Sequence, residues 1–161
     1  MKKLISAFAA LLLGAAAFAQ MPAPELEFAF ELKVQIDGAF SVGATPHGDR
    51  FVIPITGGTF EGPQIKGDIL PGGADYQLAD REAGRTEVEA IYCIRTDDGV
   101  SIHVRNWGII CDGKGEYYFV TAPRFEAPKG SKYEWLNNRI FVCKPDFSKQ
   151  GYLSLNIWMV K

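Results

Sequence analysis

Asp75 is the residue of this chain whose setting best suits chemistry. It lies two residues past Gly73 in Pro71-Gly72-Gly73-Ala74-Asp75-Tyr76-Gln77. In an extended segment it therefore shares a face with Gln77, while Tyr76 and Leu78 point the opposite way. If that face is inward, the carboxylate enters apolar surroundings that raise its pKa and fit it for general acid/base work. If it is outward, Asp75 is one more surface acid. A third arrangement has it accept backbone N–H bonds that pin the turn before it. Asp68 reads differently, because it shares a face with Gln64 and Lys66 opposite Ile65 and Ile69 and is expected in solvent.

His103 and Arg105 form a second pair of candidates. They occupy one strand face opposite Ile102 and Val104. Inward, His103 is a proton shuttle and Arg105 stabilises developing charge; outward, both are solvated, as charges on half-buried strands commonly are. Tyr76, Gln77, Glu126, Tyr133, Trp135 and Asn137 are the candidates for ligand contact. Glu126 has a plainer reading as the partner of Arg124 or Arg139 in a surface ion pair of small energy. Tyr133, Trp135 and Asn137 either rim the mouth of a barrel, where aromatics offer an apolar body and a polar tip, or plug its end.

Several chemistries are set aside. His47 and His103 lie far apart and have no metal-type spacing with each other or with the cysteines, so no metal is expected. The chain has no G-x-S-x-G elbow, no phosphate-cradling loop and no dinucleotide fingerprint, and no cofactor is expected. Asp97-Asp98-Gly99 lacks the remaining ligands of a calcium loop and reads as a hairpin turn.

The elements that must hold these residues are strands. From Leu26 to Ile36 apolar and polar residues alternate, with Leu26, Phe28, Phe30, Leu32, Val34 and Ile36 on one side. That period of two predicts a long half-buried strand. Further strands are expected over 50–56, 64–69, 74–80, 86–96, 100–110, 116–121, 139–144 and 152–160. Turn signals separate them at Asp37-Gly38, His47-Gly48, Pro71-Gly72, Asp98-Gly99 and Asp112-Gly113. Pro71-Gly72 fits a type II turn, and Gly57-Gly58 reads as a bulge or a close backbone approach. The single helical signal is Ser131-Lys132-Tyr133-Glu134, with the spacing of a capping box. The expected fold is all-β: one antiparallel β-barrel of about nine to ten short strands, with one short helical turn near residues 131–138. A sandwich also fits the pattern, but closure removes the edges that an exported sheet must otherwise protect.

Lys2 and Lys3, the apolar run from Leu4 to Phe18 and the small-x-small site Ala17-Phe18-Ala19 have the layout of a secretory signal peptide cut before Gln20. Residues 1–19 are thus expected to be removed, leaving 20–161 as a single exported, soluble domain, periplasmic or secreted. With 17 basic against 19 acidic residues, and two of the lysines lost with the leader, the mature chain is acidic. That opposes nucleic acid as a partner, since phosphates are neutralised by clustered Lys and Arg. No later apolar stretch is long enough to span a membrane. Three cysteines cannot form a disulfide framework. If one bridge forms, Cys111–Cys143 is favoured over Cys93–Cys111, whose intervening turn is too tight; otherwise all three are small buried hydrophobes.

The run GGTFEGPQIKGDILPGGADYQ (57–77), followed by TDDGVSIHVRNWG (96–108), YFVTAPRFE (118–126) and YEWLNNRIFVCK (133–144), resembles the domain of unknown function 3237 family. The resemblance covers nearly the whole mature chain with the blocks in order. It implies a compact β-barrel and carries no general activity. Tyr76 stands where the family often has Trp, and Cys143 where it often has Gly.

Three functions are compatible with this reading. The first is a barrel that binds a small apolar or aromatic molecule in its interior or mouth. The second is a cofactor-independent isomerase, cyclase or lyase using Asp75 as acid/base. The third is a structural or interaction protein of the envelope with a filled barrel.

Overall fold

A computed structural model describes residues 22–113, 115 and 117–161. The expected leader, residues 1–19, lies outside the described residues. The chain forms β1 (Leu26–Ile36), β2 (Phe40–Thr45), β3 (Gly48–Glu61), β4 (Lys66–Asp80), β5 (Arg85–Thr96), β6 (Ser101–Cys111), β7 (Tyr118–Glu126), a 3₁₀ turn η1 (Glu134–Asn138), β8 (Phe141–Asp146) and β9 (Leu153–Val160). All pairings are antiparallel. The sheet runs β1-β9-β8-β7-β6-β5-β4-β3 and closes through β1–β3, so eight strands make a barrel, and β2 is an extra strand laid along the first half of β3. Among the described residues, no helix is long and apolar enough to cross a membrane.

The barrel of the sequence reading is thus present, with four local differences. The alternation of β1 does not hold throughout: its register against β9 shifts between Phe28 and Phe30, so Phe28 pairs with the exposed Trp158, on the face opposite Phe30 and its partner Ile157. Residues 40–45, unassigned in sequence, are β2. The expected strands 64–69 and 74–80 are one continuous strand, β4. The intervening Pro71-Gly72 does not reverse the chain: Gly72 at φ +104° sits in a bulge where the β4–β5 register shifts between Leu70 and Ala74. A bulge uses the same positive-φ glycine as a turn but bends the strand instead of ending it. Gly57-Gly58 is a bulge and a close approach together. The β3–β4 register shifts there, and a Cβ on Gly58 would lie 2.0 Å from the Lys33 carbonyl oxygen.

The helical turn expected near 131–138 is η1, but it is not capped as the sequence suggests. The Ser131 Oγ is buried without a partner, and Glu134 Oε2 accepts from the Gly130 N–H at 2.9 Å. The Cys111–Cys143 bridge is not formed; all three cysteines are free. Cys143 on β8 is opposite Thr121 on β7, which is opposite Gly108 on β6, so Cys111 is two strands and three residues away. Two inter-strand spacings are roughly 10 Å, beyond the ~7 Å that a disulfide can bridge between Cα atoms.

The interior divides into two halves of different character. One half is solid. Phe30, Phe60, Phe125 and Phe141 meet edge to face at centroid separations of 5.1–6.0 Å, joined by Ile94, Ile102 and Leu136. Burying large rings side by side is the main stabilising contribution here. The 127–138 segment caps this end. Asn137 exchanges two hydrogen bonds with the Ala127 backbone, at 2.7 and 2.9 Å. The buried Tyr133 donates its hydroxyl to Asp98 Oδ1 at 2.8 Å. Thr96, Lys132 and Tyr133 all donate to Asp98, in that order of effect, and hold its carboxyl well below the usual carboxylate range. The other half presents aliphatic and small inward residues, and there the barrel is not filled.

Candidate functional site

The unfilled half holds a pocket of about 80 Å³. A water needs roughly 10–15 Å³ on the same kind of measure, so the space takes several waters or a small organic group. Its walls include Val34, Ile55, Val88, Ala90, Leu153 and Leu155. Ile36 and Phe147, which are 43% and 60% exposed, stand at its mouth. Strand alternation explains why the strand residues among them meet, each on the inward face of its strand at the end of the barrel opposite η1, while Phe147 directly follows β8.

Asp75 lines this pocket together with Gln77, while Tyr76 and Leu78 border a groove on the outside. The alternation read from the sequence therefore places the carboxylate inward. Its two oxygens are held separately. Gln77 Nε2 donates to Oδ2 at 2.7 Å, and the Glu89 N–H of the neighbouring strand donates to Oδ1 at 3.0 Å. The second bond exists because the β4–β5 ladder is interrupted between the Asp75–Ala90 and Leu78–Glu87 pairs. Burial pushes the Asp75 carboxyl above its ordinary value, and the two hydrogen bonds oppose the rise only in part.

Three further polar residues line the pocket, and each carries a buried side-chain atom: the Tyr92 hydroxyl, the Asn106 oxygen and the Thr121 hydroxyl. None of these atoms has a hydrogen-bond partner within the protein. Native interiors seldom leave such groups unpaired, because each costs about 1–3 kcal/mol of desolvation. The three lie on neighbouring strands, β5, β6 and β7, of one wall. Burial, reinforced by Cys143, pushes the Tyr92 phenol upward. Burial raises the Cys143 thiol to about 12, tempered by Thr121 opposite it on β7; that contact does not meet hydrogen-bond geometry, so the Thr121 hydroxyl remains unpaired.

The other sequence candidates lie elsewhere. His103 and Arg105 face outward from β6, and neither joins Asp75. Arg105 Nε donates to Glu89 Oε1 at 2.7 Å, and His103 Nδ1 lies 4.0 Å from Glu126 Oε2. Their apolar neighbours Ile102 and Val104 claim the inward face, which leaves the charges to solvent. Glu126 lies beside His103 and forms no ion pair with Arg124 or Arg139, the partners of its plainer reading. Tyr133 and Asn137 belong to the end plug, and Trp135, tilted against Phe141 at 6.0 Å, lines a separate shallow groove beside them. Among the described residues, no group of three His, Cys, Asp or Glu side chains is arranged to hold a metal ion.

The sequence reading passed over Tyr92, Asn106 and Thr121. A signal was present: Asn106 continues the inward series Ile102, Val104, and a polar residue in an apolar series is the kind that needs a buried partner.

Comparison with known proteins places the barrel in a family. The model of the family described as Protein of unknown function (DUF3237) matches residues 24–160. A UPF0311 protein of Clostridium acetobutylicum is 36% identical over 132 residues, covering 73% of this chain and 82% of that protein. The crystal structure of a protein of unknown function from Rhodopseudomonas palustris superposes with a TM-score of 0.77 at 31% identity, covering 87% of this chain and 99% of the other. A structure described as an enzyme from Penicillium herquei superposes with a TM-score of 0.70 at 25% identity, covering 87% and 97%. With the family model spanning the whole barrel and relatives above 30% identity over most of their length, this chain belongs to the DUF3237 family of proteins of unknown function.

Proposed function

We propose that this protein binds a small, largely apolar molecule in the open half of its barrel. One observation carries the reading: a pocket with aliphatic walls ends in Asp75 and three buried polar groups that lack partners. Apolar walls with a few convergent polar groups are the usual makeup of a small-molecule site. A barrel serving only as a scaffold gains nothing from leaving those groups unpaired, which weighs against the structural reading. The test is a thermal-shift or native mass-spectrometry screen of small metabolites against the wild type and Ala90→Leu, which fills the pocket. Binding lost in Ala90→Leu and kept in Tyr76→Ala supports the pocket; the reverse pattern moves the site to the outer face.

A second reading is a cofactor-independent isomerase, cyclase or lyase in which Asp75 exchanges a proton with the bound molecule. Two things favour it. Burial raises the carboxyl toward the range useful for acid/base work, and a relative of the same fold is described as an enzyme. Asp75→Asn separates the two readings once a ligand is found. Turnover abolished with binding kept supports the enzyme, and turnover kept removes Asp75 from the chemistry. His103 and Arg105 have no part in either reading, because they lie outside the barrel.

The proposal includes export. The Lys2-Lys3 start, the apolar run and Ala17-Phe18-Ala19 support a leader removed before Gln20. The intact mass of protein recovered outside the cytoplasm should correspond to residues 20–161. A full-length mass in the cytoplasm overturns this part alone.

A further inference from the structure

We infer that the pocket selects an uncharged ligand whose polar edge places a hydrogen-bond donor beside an acceptor, as in a carboxamide or a hydroxy-carbonyl group, and that it turns away carboxylates and phosphates. The inference deepens the binding-pocket reading above and rests on it.

Among the described residues the lining contains no lysine, arginine or histidine, and its one carboxylic acid is Asp75. An anion entering the pocket would lose its hydration, meet no countercharge and face a carboxylate. Arg50 and Arg105 lie on the other side of the sheet, where they border the outer groove with Tyr76 and Trp107. They serve that surface and not the interior.

The groups awaiting partners are themselves uncharged. Tyr92, Asn106 and Thr121 are 3%, 4% and 3% exposed, and their unpaired atoms are two hydroxyls and an amide oxygen. Each hydroxyl has both a proton to give and lone pairs to receive, and an amide side chain likewise has both capacities. A ligand edge with donor and acceptor side by side satisfies this set. An ammonium group supplies donors only, so it leaves the hydroxyl protons of Tyr92 and Thr121 without an acceptor, and each oxygen of Asp75 already accepts one bond, from Gln77 or Glu89, which leaves only its second lone pair for it. A wholly apolar ligand leaves all three groups unpaired. The volume sets the scale, since about 80 Å³ admits a compact head group while a larger body extends past Ile36 and Phe147 into solvent.

The test uses four probes built on one phenyl ring, benzamide, benzoate, benzylamine and toluene, titrated at neutral pH by isothermal calorimetry or by NMR shifts of pocket residues. Benzamide should bind about tenfold or more tightly than benzoate and benzylamine, the discrimination expected when buried polar groups are otherwise left unpaired. Thr121→Val and, independently, Tyr92→Phe should weaken benzamide while leaving toluene unchanged; either variant suffices if the other fails to fold. Benzoate or benzylamine binding as well as benzamide, with toluene still displaced by Ala90→Leu, overturns the ligand class and leaves the pocket reading standing. If none of the four binds, toluene included, the pocket reading falls and this inference with it.

Discussion

Gln77 Nε2 donates to Asp75 Oδ2 at 2.7 Å from two residues along the same strand, so the carboxylate and the amide that steadies it share the inward face of β4. The period of a strand makes the two side chains neighbours on one face, and closure of the barrel makes that face an interior. A carboxylate steadied in this way has a defined direction toward the pocket. It also carries a stability cost, which leads to the first expectation.

Asp75→Asn should raise the melting temperature at neutral pH. The native carboxyl titrates above its unfolded value, so between those two values the folded state holds a proton that the unfolded state has already released. Stability therefore falls as pH rises through the window that begins near the ordinary Asp value of 3.8, and it stays lowered above the native value. An asparagine keeps an oxygen for the Glu89 N–H and removes the buried charge. Thermal melts across pH 3.5 to 7.5 should show the variant gaining on the wild type as pH rises. A gap that stays constant with pH contradicts the assignment.

Thr121→Val and Tyr92→Phe should leave the ligand-free protein as stable as the wild type, or stabilise it by up to about 1 kcal/mol. Each removes a buried hydroxyl that has no partner, so no bond is lost and a desolvation cost is relieved. Chemical denaturation measures this directly. A loss exceeding about 1 kcal/mol in both variants would mean that the hydroxyls are bonded in solution.

His103→Ala and Arg105→Ala should not alter ligand affinity, measured on the same probes and under the same conditions as the wild type. Both side chains are on the outside of β6, and the ion pair that Arg105 makes with Glu89 is half-exposed, a kind that contributes little. A loss of binding in either variant moves the site to the outer face.

Asn137→Ala should destabilise the barrel by about 1–3 kcal/mol without changing the pocket, because it leaves the Ala127 N–H and C=O of the end plug unpaired. Urea denaturation together with a probe titration tests both halves. Reduced affinity in the folded variant would show that the plug and the pocket are coupled.

Much of the architecture was legible without coordinates. Alternation over 26–36 located β1 to the residue, and the same alternation put Asp75 and Gln77 on one face and Tyr76 and Leu78 on the other. It also grouped His103 with Arg105 opposite Ile102 and Val104, although only closure of the sheet made that pair external. Pro71-Gly72 was harder, since a positive-φ glycine serves a turn and a bulge equally, and only the pairing of β4 with β5 on both sides of it decides. The Ser131–Glu134 spacing suggested a cap that packing against Asp98 and the barrel end did not allow to form.

The sequence by itself determined most of the strands and, along most of their length, the two faces, because these follow from local alternation and side-chain chemistry. Only the tertiary structure decided which face is the interior, which end is packed with phenylalanine and which is left open. It alone brought Asp75 of β4, Tyr92 of β5, Asn106 of β6 and Thr121 of β7 to one wall. The register between strands sets those meetings, and register is a property of chain closure, with no trace in any one strand.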